Sequence, residues 1–142
     1  VKYSYKLSDA IHILTYLIVY QEGDLSSRAI ANSIETNSSA VRGLMVDLKR
    51  AGIINTQQGS SEPTLSRPAD QITMFDVYQA INMDHDLIHV DPKTNPNCIV
   101  GSNIQDTLNE VYQNVEQAAF RSMAETTIQE IIDGVLQRES QK

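Results

Sequence analysis

Two short amphipathic helical patterns, parted only by a Thr-Asn turn and followed at once by a strand-compatible run, constrain this chain more than any other feature. Ser26 opens the first pattern, with Ala29, Ile30 and Ile34 predicted to face inward, and Thr36-Asn37 breaks it. Asn37 or Ser38 caps the second, in which Val41, Leu44, Met45 and Leu48 recur at i, i+3, i+4 and i+7 until Gly52 stops the helix. A longer helix precedes both: Leu7, Ile11, Leu14 and Ile18 form its stripe, Ser8 is the predicted N-cap, and Gly23 ends it.

The period changes after Gly52. Ile53 to Gln58 suits a strand, Gly59-Ser60-Ser61-Glu62-Pro63 is turn material, and Thr64-Leu65-Ser66-Arg67 can return as the partner strand until Pro68 ends it. Two short helices around a tight polar turn are a helix-turn-helix, and a hairpin placed directly after them is the wing of a winged helix. Thr73 with Asp76 is a capping-box pattern for a fourth helix, in which Met74, Val77, Tyr78 and Ile81 pack inward.

Residues 83–101 lack a period and hold three aspartates, two prolines and a glycine, so they are expected to be a connector. Ser102 with Gln105 reads as another capping box. Behind it Ile104, Leu108, Val111, Val115, Ala118 and Ser122 step by four and three residues, the seam of a helix that packs lengthwise on another. A helix of about 22 residues is roughly 33 Å long, more than a small winged helix can cover. The economical partner is the same helix of a second copy, with Tyr112, Phe120 and Met123 beside the seam as dimer core or the lining of an effector pocket. Thr127 with Glu130 opens a last helix that buries Ile128, Ile131, Ile132 and Val135 against the first helix of either subunit. The expected fold is therefore mainly α with a small β-hairpin: a winged helix-turn-helix over 1–82, the connector over 83–101, and a dimerisation helix with a short C-terminal helix over 102–142.

Charge divides along the same line. Residues 1–67 carry seven Lys/Arg against six Asp/Glu, whereas 68–142 carry four against twelve, so the net charge of −7 arises in the second half. That balance excludes indiscriminate coating of nucleic acid but leaves a local basic face free to meet phosphates. No apolar run approaches the roughly 20 residues of a membrane span, and no signal-peptide pattern is visible, so a cytoplasmic protein is expected.

The surface face of the third helix carries Ser38, Ser39, Arg42, Lys49 and Arg50, with Gly43 allowing close approach to a groove. Arg42 is expected to read a base edge. Lys49 and Arg50 would hold phosphates, as would Ser26, Ser27 and Arg28 at the start of the preceding helix, where free N–H groups favour an anion. Gln57, Gln58, Ser60 and Ser61 in the wing are neutral donors suited to the backbone or minor groove. No phosphate-cradling Gly-rich loop, nucleophile elbow or H-E-x-x-H is present, and His85, His89 and Asp91 form no paired base and nucleophile, so an enzyme is not expected. The remaining alternative is a winged-helix adaptor whose third helix meets another protein.

Three stretches together resemble the Rrf2 family of winged-helix transcription regulators: Leu7 to Leu14, Val41 to Ile54, and Ile72 to Ile81. The connector Asn95-Pro96-Asn97-Cys98-Ile99-Val100-Gly101 is similar to that of the clusterless, YwnA-like branch. The resemblance covers nearly the whole chain and implies a homodimer, crossed through its long helix, that binds a near-palindromic double-stranded operator and usually represses. Cluster-binding members place three cysteines in the connector. Cys98 matches the last of them, while Pro92 and Asp86 stand where the others would, and Gly101 stands where some cluster binders have a histidine. No iron-sulfur cluster, other cofactor or metal is therefore expected, since one thiolate cannot replace a ligand set. The wing departs as well: Ser60-Ser61-Glu62-Pro63 replaces a frequent Gly-Gly pair, and Glu62 would repel phosphate.

Cys98 keeps two readings, a small partly buried side chain or a redox sensor whose thiolate is favoured by the start of the long helix and disfavoured by Asp91 and the acidic connector. His85 and His89, four residues apart among aspartates, would form a mixed metal site only if the connector were helical. His12, inside the apolar first helix, is expected to be a satisfied core histidine.

Overall fold

A computed structural model describes residues 4–56, 62–81 and 87–142. Its elements run α1 (Lys6–Val19), α2 (Ser27–Ile34), α3 (Ser38–Arg50), β1 (Ile54–Thr56), β2 (Pro63–Leu65), a 3-10 turn (Ala69–Gln71), α4 (Met74–Ala80), α5 (Ile99–Glu125) and α6 (Ile128–Ser140). The two strands pair antiparallel, Ile54 with Leu65 and Thr56 with Pro63, so this is a mainly helical winged helix-turn-helix with a small hairpin. Pro63 thus belongs to the second strand and not to the turn, which an edge strand permits because its missing N–H need not face a partner. The turn itself, residues 57–61, lies outside the described residues, and so do Gln58 and Ser60.

Capping follows local chemistry at most helix starts. Ser26 Oγ accepts from the Ala29 N–H, Asn37 Oδ1 from that of Ala40, and Thr73 Oγ1 from that of Asp76, whose carboxylate returns to the Thr73 N–H. Two predicted caps fail. Ser8 sits within α1, which starts at Lys6 with no side-chain cap. Ser102 sits within α5, which starts at Ile99, so the last three residues assigned to the connector are helical. Inside the helix Ser102 Oγ donates back to the Ile99 carbonyl and Gln105 reaches across to that of Asp91, so the S-x-x-Q pattern serves other partners. The helix-turn-helix angle rests on Glu35, held left-handed at φ 63°, and α3 ends on Gly52 at φ 77°, a conformation a glycine adopts without steric cost.

One core joins α1, α2, α3 and α4 with the start of α6. Ile13, Leu14, Ile30, Leu48, Ile72, Ile81, Ile128 and Ile132 are fully buried in it, each contributing roughly 1.5–3 kcal/mol of transfer free energy. Ala31 is buried where Ala29 was expected to be, and Ala29 is only half-buried. Segment 126–128 closes the unit by pairing with segment 72–74: Met74 N–H donates to Thr126 O at 2.8 Å and Ile128 N–H to Ile72 O at 2.9 Å. Helix α6 accordingly packs on α1 of its own chain. Val135 is not buried there as expected but is 46% exposed, and it lines an open cleft of about 510 Å³ between α1 and α6 together with Tyr16, Tyr20, Ile131 and Leu136.

Helix α5 has 27 residues, about 40 Å, and no buried residue. It touches the winged helix through Phe120, whose ring lies 5.3 Å from those of both Phe75 and Tyr78 on α4. Phe120 is therefore anchored within its own chain. The seam residues Val111 and Val115 remain 48% and 46% exposed, Ala118 and Ser122 are exposed, and Ile104 and Leu108 are half-buried. No helix among the described residues is long and apolar enough to cross a membrane.

Candidate nucleic-acid interface

The stripe that fixes α3 in the core also determines what it presents. With Val41, Leu44 and Leu48 buried, the opposite face offers Ser39, Arg42, Gly43, Val46, Lys49 and Arg50 to solvent. Ser38 is half-buried beside its cap. A Cβ added at Gly43 would meet nothing within 4 Å, so its bareness serves no packing need of the chain itself. Arg50 Nη1 lies 3.5 Å from Asp47 Oδ1, an exposed i, i+3 contact too weak to withhold the guanidinium from another anion.

At the start of α2 the arrangement is more restrictive than the sequence implies. Asp24 Oδ1 accepts from the Ser26 N–H at 2.9 Å, and Ser26 Oγ accepts from Ala29, so two of the donors at this terminus are already engaged. The Ser26 amide and hydroxyl, with a smaller contribution from Arg28, hold the Asp24 carboxyl below its ordinary range. Asp24 and Glu62 share one shallow cavity with Ser26, Ser27 and Pro63, which places two carboxylates beside the helix start and the root of the wing. Ser27 is half-buried and Arg28 exposed. Arg67 is committed elsewhere: it binds the Gln71 carbonyl and the Asp76 carboxylate at 3.0 Å, bracing the capping box of α4. His12, half-buried, joins α1 to α2 through a 2.8 Å bond with Ser33 Oγ.

The connector packs against the first turn of α5. Asn95 lies so close to Gly101 that an added Cβ would collide with its carbonyl oxygen, and Thr94 Oγ1 donates to the Gly101 carbonyl. Cys98 is the N-cap residue of α5 and is exposed in the single chain. The N–H groups of Gly101 and Val100 hold its thiol below the ordinary value, outweighing the opposing effect of desolvation. His89 and Asp91 lie on non-helical backbone, residues 84–86 fall outside the described residues, and no group of three metal-ligating side chains occurs among those described.

Sequence reasoning missed Val46. It is 53% exposed at the centre of the α3 face, and the signal was available, since a stripe through Val41, Leu44 and Leu48 leaves position 46 on the opposite side. The fold and this face define a winged helix-turn-helix regulator. The family model Rrf2, described as an iron-dependent transcriptional regulator, matches residues 3–134, and the chain belongs to that family of transcriptional regulators. It is 30% identical over 128 residues to a Bacillus subtilis (strain 168) protein named as the HTH-type transcriptional regulator YwnA, covering 90% of this chain and 95% of that one. Its structure is similar to the crystal structure of a protein described as DNA-binding, at 29% identity and TM-score 0.72 over 89% of this chain and 98% of that one. It also shares the fold of CymR, titled the global cysteine regulator of B. subtilis, at 19% identity and TM-score 0.67, with 94% of this chain and 97% of that one covered.

Proposed function

We propose that this regulator is a cytoplasmic homodimer that binds a specific double-stranded operator and represses, with operator affinity tuned by thiol chemistry at Cys98 or by a small molecule. The observation that carries this reading is the solvent face of α3, where Arg42, Lys49 and Arg50 are all exposed around an uncovered Gly43. Two such helices, one per subunit, would enter successive major grooves about one helical turn apart. Arg42 would bond a base edge, while Lys49, Arg50, Arg28 and the Ser26 and Ser27 donors would hold phosphates. The wing residues Gln58 and Ser60 would add neutral contacts.

Selection from a random-sequence duplex pool, followed by salt titration on the winning duplex, tests this directly. With about three phosphate contacts per subunit, affinity should fall roughly a thousandfold between 50 and 200 mM salt. No retained duplex, or a flat salt response, would favour the protein-binding adaptor instead.

We further place no iron-sulfur cluster in this chain, although the family description names iron. One thiol cannot supply a ligand set, and the Asn95 backbone stands where any side chain at position 101 would have to project. A thiol input is favoured by the exposure of Cys98 and by the two amides that face it. Because its pKa is depressed, the thiolate persists to lower pH in the folded chain than in the unfolded one. Iodoacetamide alkylation should therefore begin at lower pH in native protein than in urea, and superimposable pH profiles would remove the sensor reading. The signal would travel along α5 to Phe120 and so to α4, which packs on both α5 and α3. The cleft between α1 and α6 is the place a small apolar effector would enter, next to the His12–Ser33 contact that ties α1 to α2.

A further inference from the structure

We propose that Val46 reads thymine, its methyl groups seating against the C5-methyl of a thymine in the major groove; this rests on the operator-binding reading and adds to it one residue and one base. Among the described residues the other large apolar side chains left exposed lie just before or just after α1, in the connector, on α5 and on α6. Val46 is the one exposed on α2, α3 or the strands, and it stands at the middle of the face that also carries Arg42, Gly43, Lys49 and Arg50.

Its neighbours define the occupant. Arg42 lies one turn before it, and Lys49 and Arg50 one turn after, so cations bracket the valine along the helix. The one acid beside it, Asp47, is held by Arg50 at 3.5 Å. A surface basic at both ends fits a polyanion, and Gly43, also one turn away and with nothing near its missing Cβ, lets that polyanion come close to the helix axis. Valine can neither donate nor accept a hydrogen bond, so it adds nothing to a phosphate or to the donor–acceptor pattern of a base edge. The only apolar group that B-DNA displays in the major groove is the thymine methyl. Valine is also a poor helix former, and at a surface site without packing its presence gains the isolated fold nothing over alanine.

The test uses the full chain and the duplex it selects from a random pool. Each thymine of the half-site is replaced in turn by uracil, which removes the methyl and leaves every hydrogen-bonding group in place. At one symmetric position the uracil duplex should bind about fourfold more weakly per half-site, the value of one buried methyl-sized group. Val46→Ala, which favours the helix and so folds, should lower affinity for the thymine duplex by a similar factor and bind the thymine and uracil duplexes equally. Unchanged affinity at every uracil position overturns the proposal while leaving operator binding intact. A thymine preference that survives Val46→Ala also overturns it, since another side chain then reads the methyl. If no duplex is retained from the pool, operator binding itself fails, and the assignment of Val46 falls with it.

Discussion

Val111→Glu combined with Val115→Glu is expected to yield a folded monomer whose operator affinity is lower by a factor of a hundred or more. Both valines are close to half exposed on a helix about 40 Å long that buries none of its residues in its own chain, so neither substitution opens a cavity. Far-UV circular dichroism should therefore be unchanged. In the proposed dimer the two positions face their counterparts, and the four introduced carboxylates would meet where apolar surface is otherwise removed from water. Glu110 and Glu116 already flank the seam, so the added charge has no nearby cation to offset it. A dimer also binds its second half-site at the high effective concentration set by the first, which is why loss of pairing costs far more than a single contact. Light scattering after size exclusion gives the mass and duplex titration gives the affinity. A double variant that remains dimeric would show that the seam is not the interface.

How much of this was legible in sequence depends on how far apart the partners stand along the chain. Asn37, Thr73 with Asp76, and Thr127 all bond an amide three residues on, and each was readable as a pattern. The stripes of α1, α3 and α4 were equally plain, because burial on one face follows from a 3.6-residue period. Ser102 with Gln105 carries the same local pattern and misled for a physical reason: α5 starts earlier, with Cys98 as its N-cap, while Gln105 is drawn to Asp91, fourteen residues back. The pairing of 126–128 with 72–74 joins segments more than fifty residues apart and leaves no local trace, yet it fixes α6 on α1. Phe120 could be placed beside the seam but not assigned, because only the fold shows that the rings of Phe75 and Tyr78 lie against it.

The candidate site was legible in outline and not in its balance. Arg42, Lys49 and Arg50 emerged by subtraction from the core stripe, and the structure leaves all three exposed. The start of α2 is less open to phosphate than its Ser-Ser-Arg run suggests, because Asp24 takes up the Ser26 amide and Glu62 lies in the same cavity. Acidic groups at that edge bias the surface toward the α3 face, so in the proposed operator complex the weight of recognition would shift from the flanking contacts to the helix that carries Arg42 and Val46.

Arg42→Ala should then show the largest single-residue effect on recognition. A bidentate guanidinium contact to a base is worth roughly 1–3 kcal/mol of discrimination, so each half-site should lose from about fivefold to more than a hundredfold at one position. Two copies act on one symmetric operator, and the combined loss should approach the square of that factor. Arg42 is exposed, and alanine is the better helix former, so thermal stability should be unchanged or slightly raised. Arg42→Lys separates charge from geometry: it keeps the positive charge, and with it the salt dependence, but lacks the planar fork, so it should restore affinity for duplexes in general without restoring discrimination. Binding of single-base operator variants at fixed salt measures both quantities. If Arg42→Ala weakened every duplex equally, Arg42 would be a phosphate anchor, and base reading would have to come from other residues of the same face.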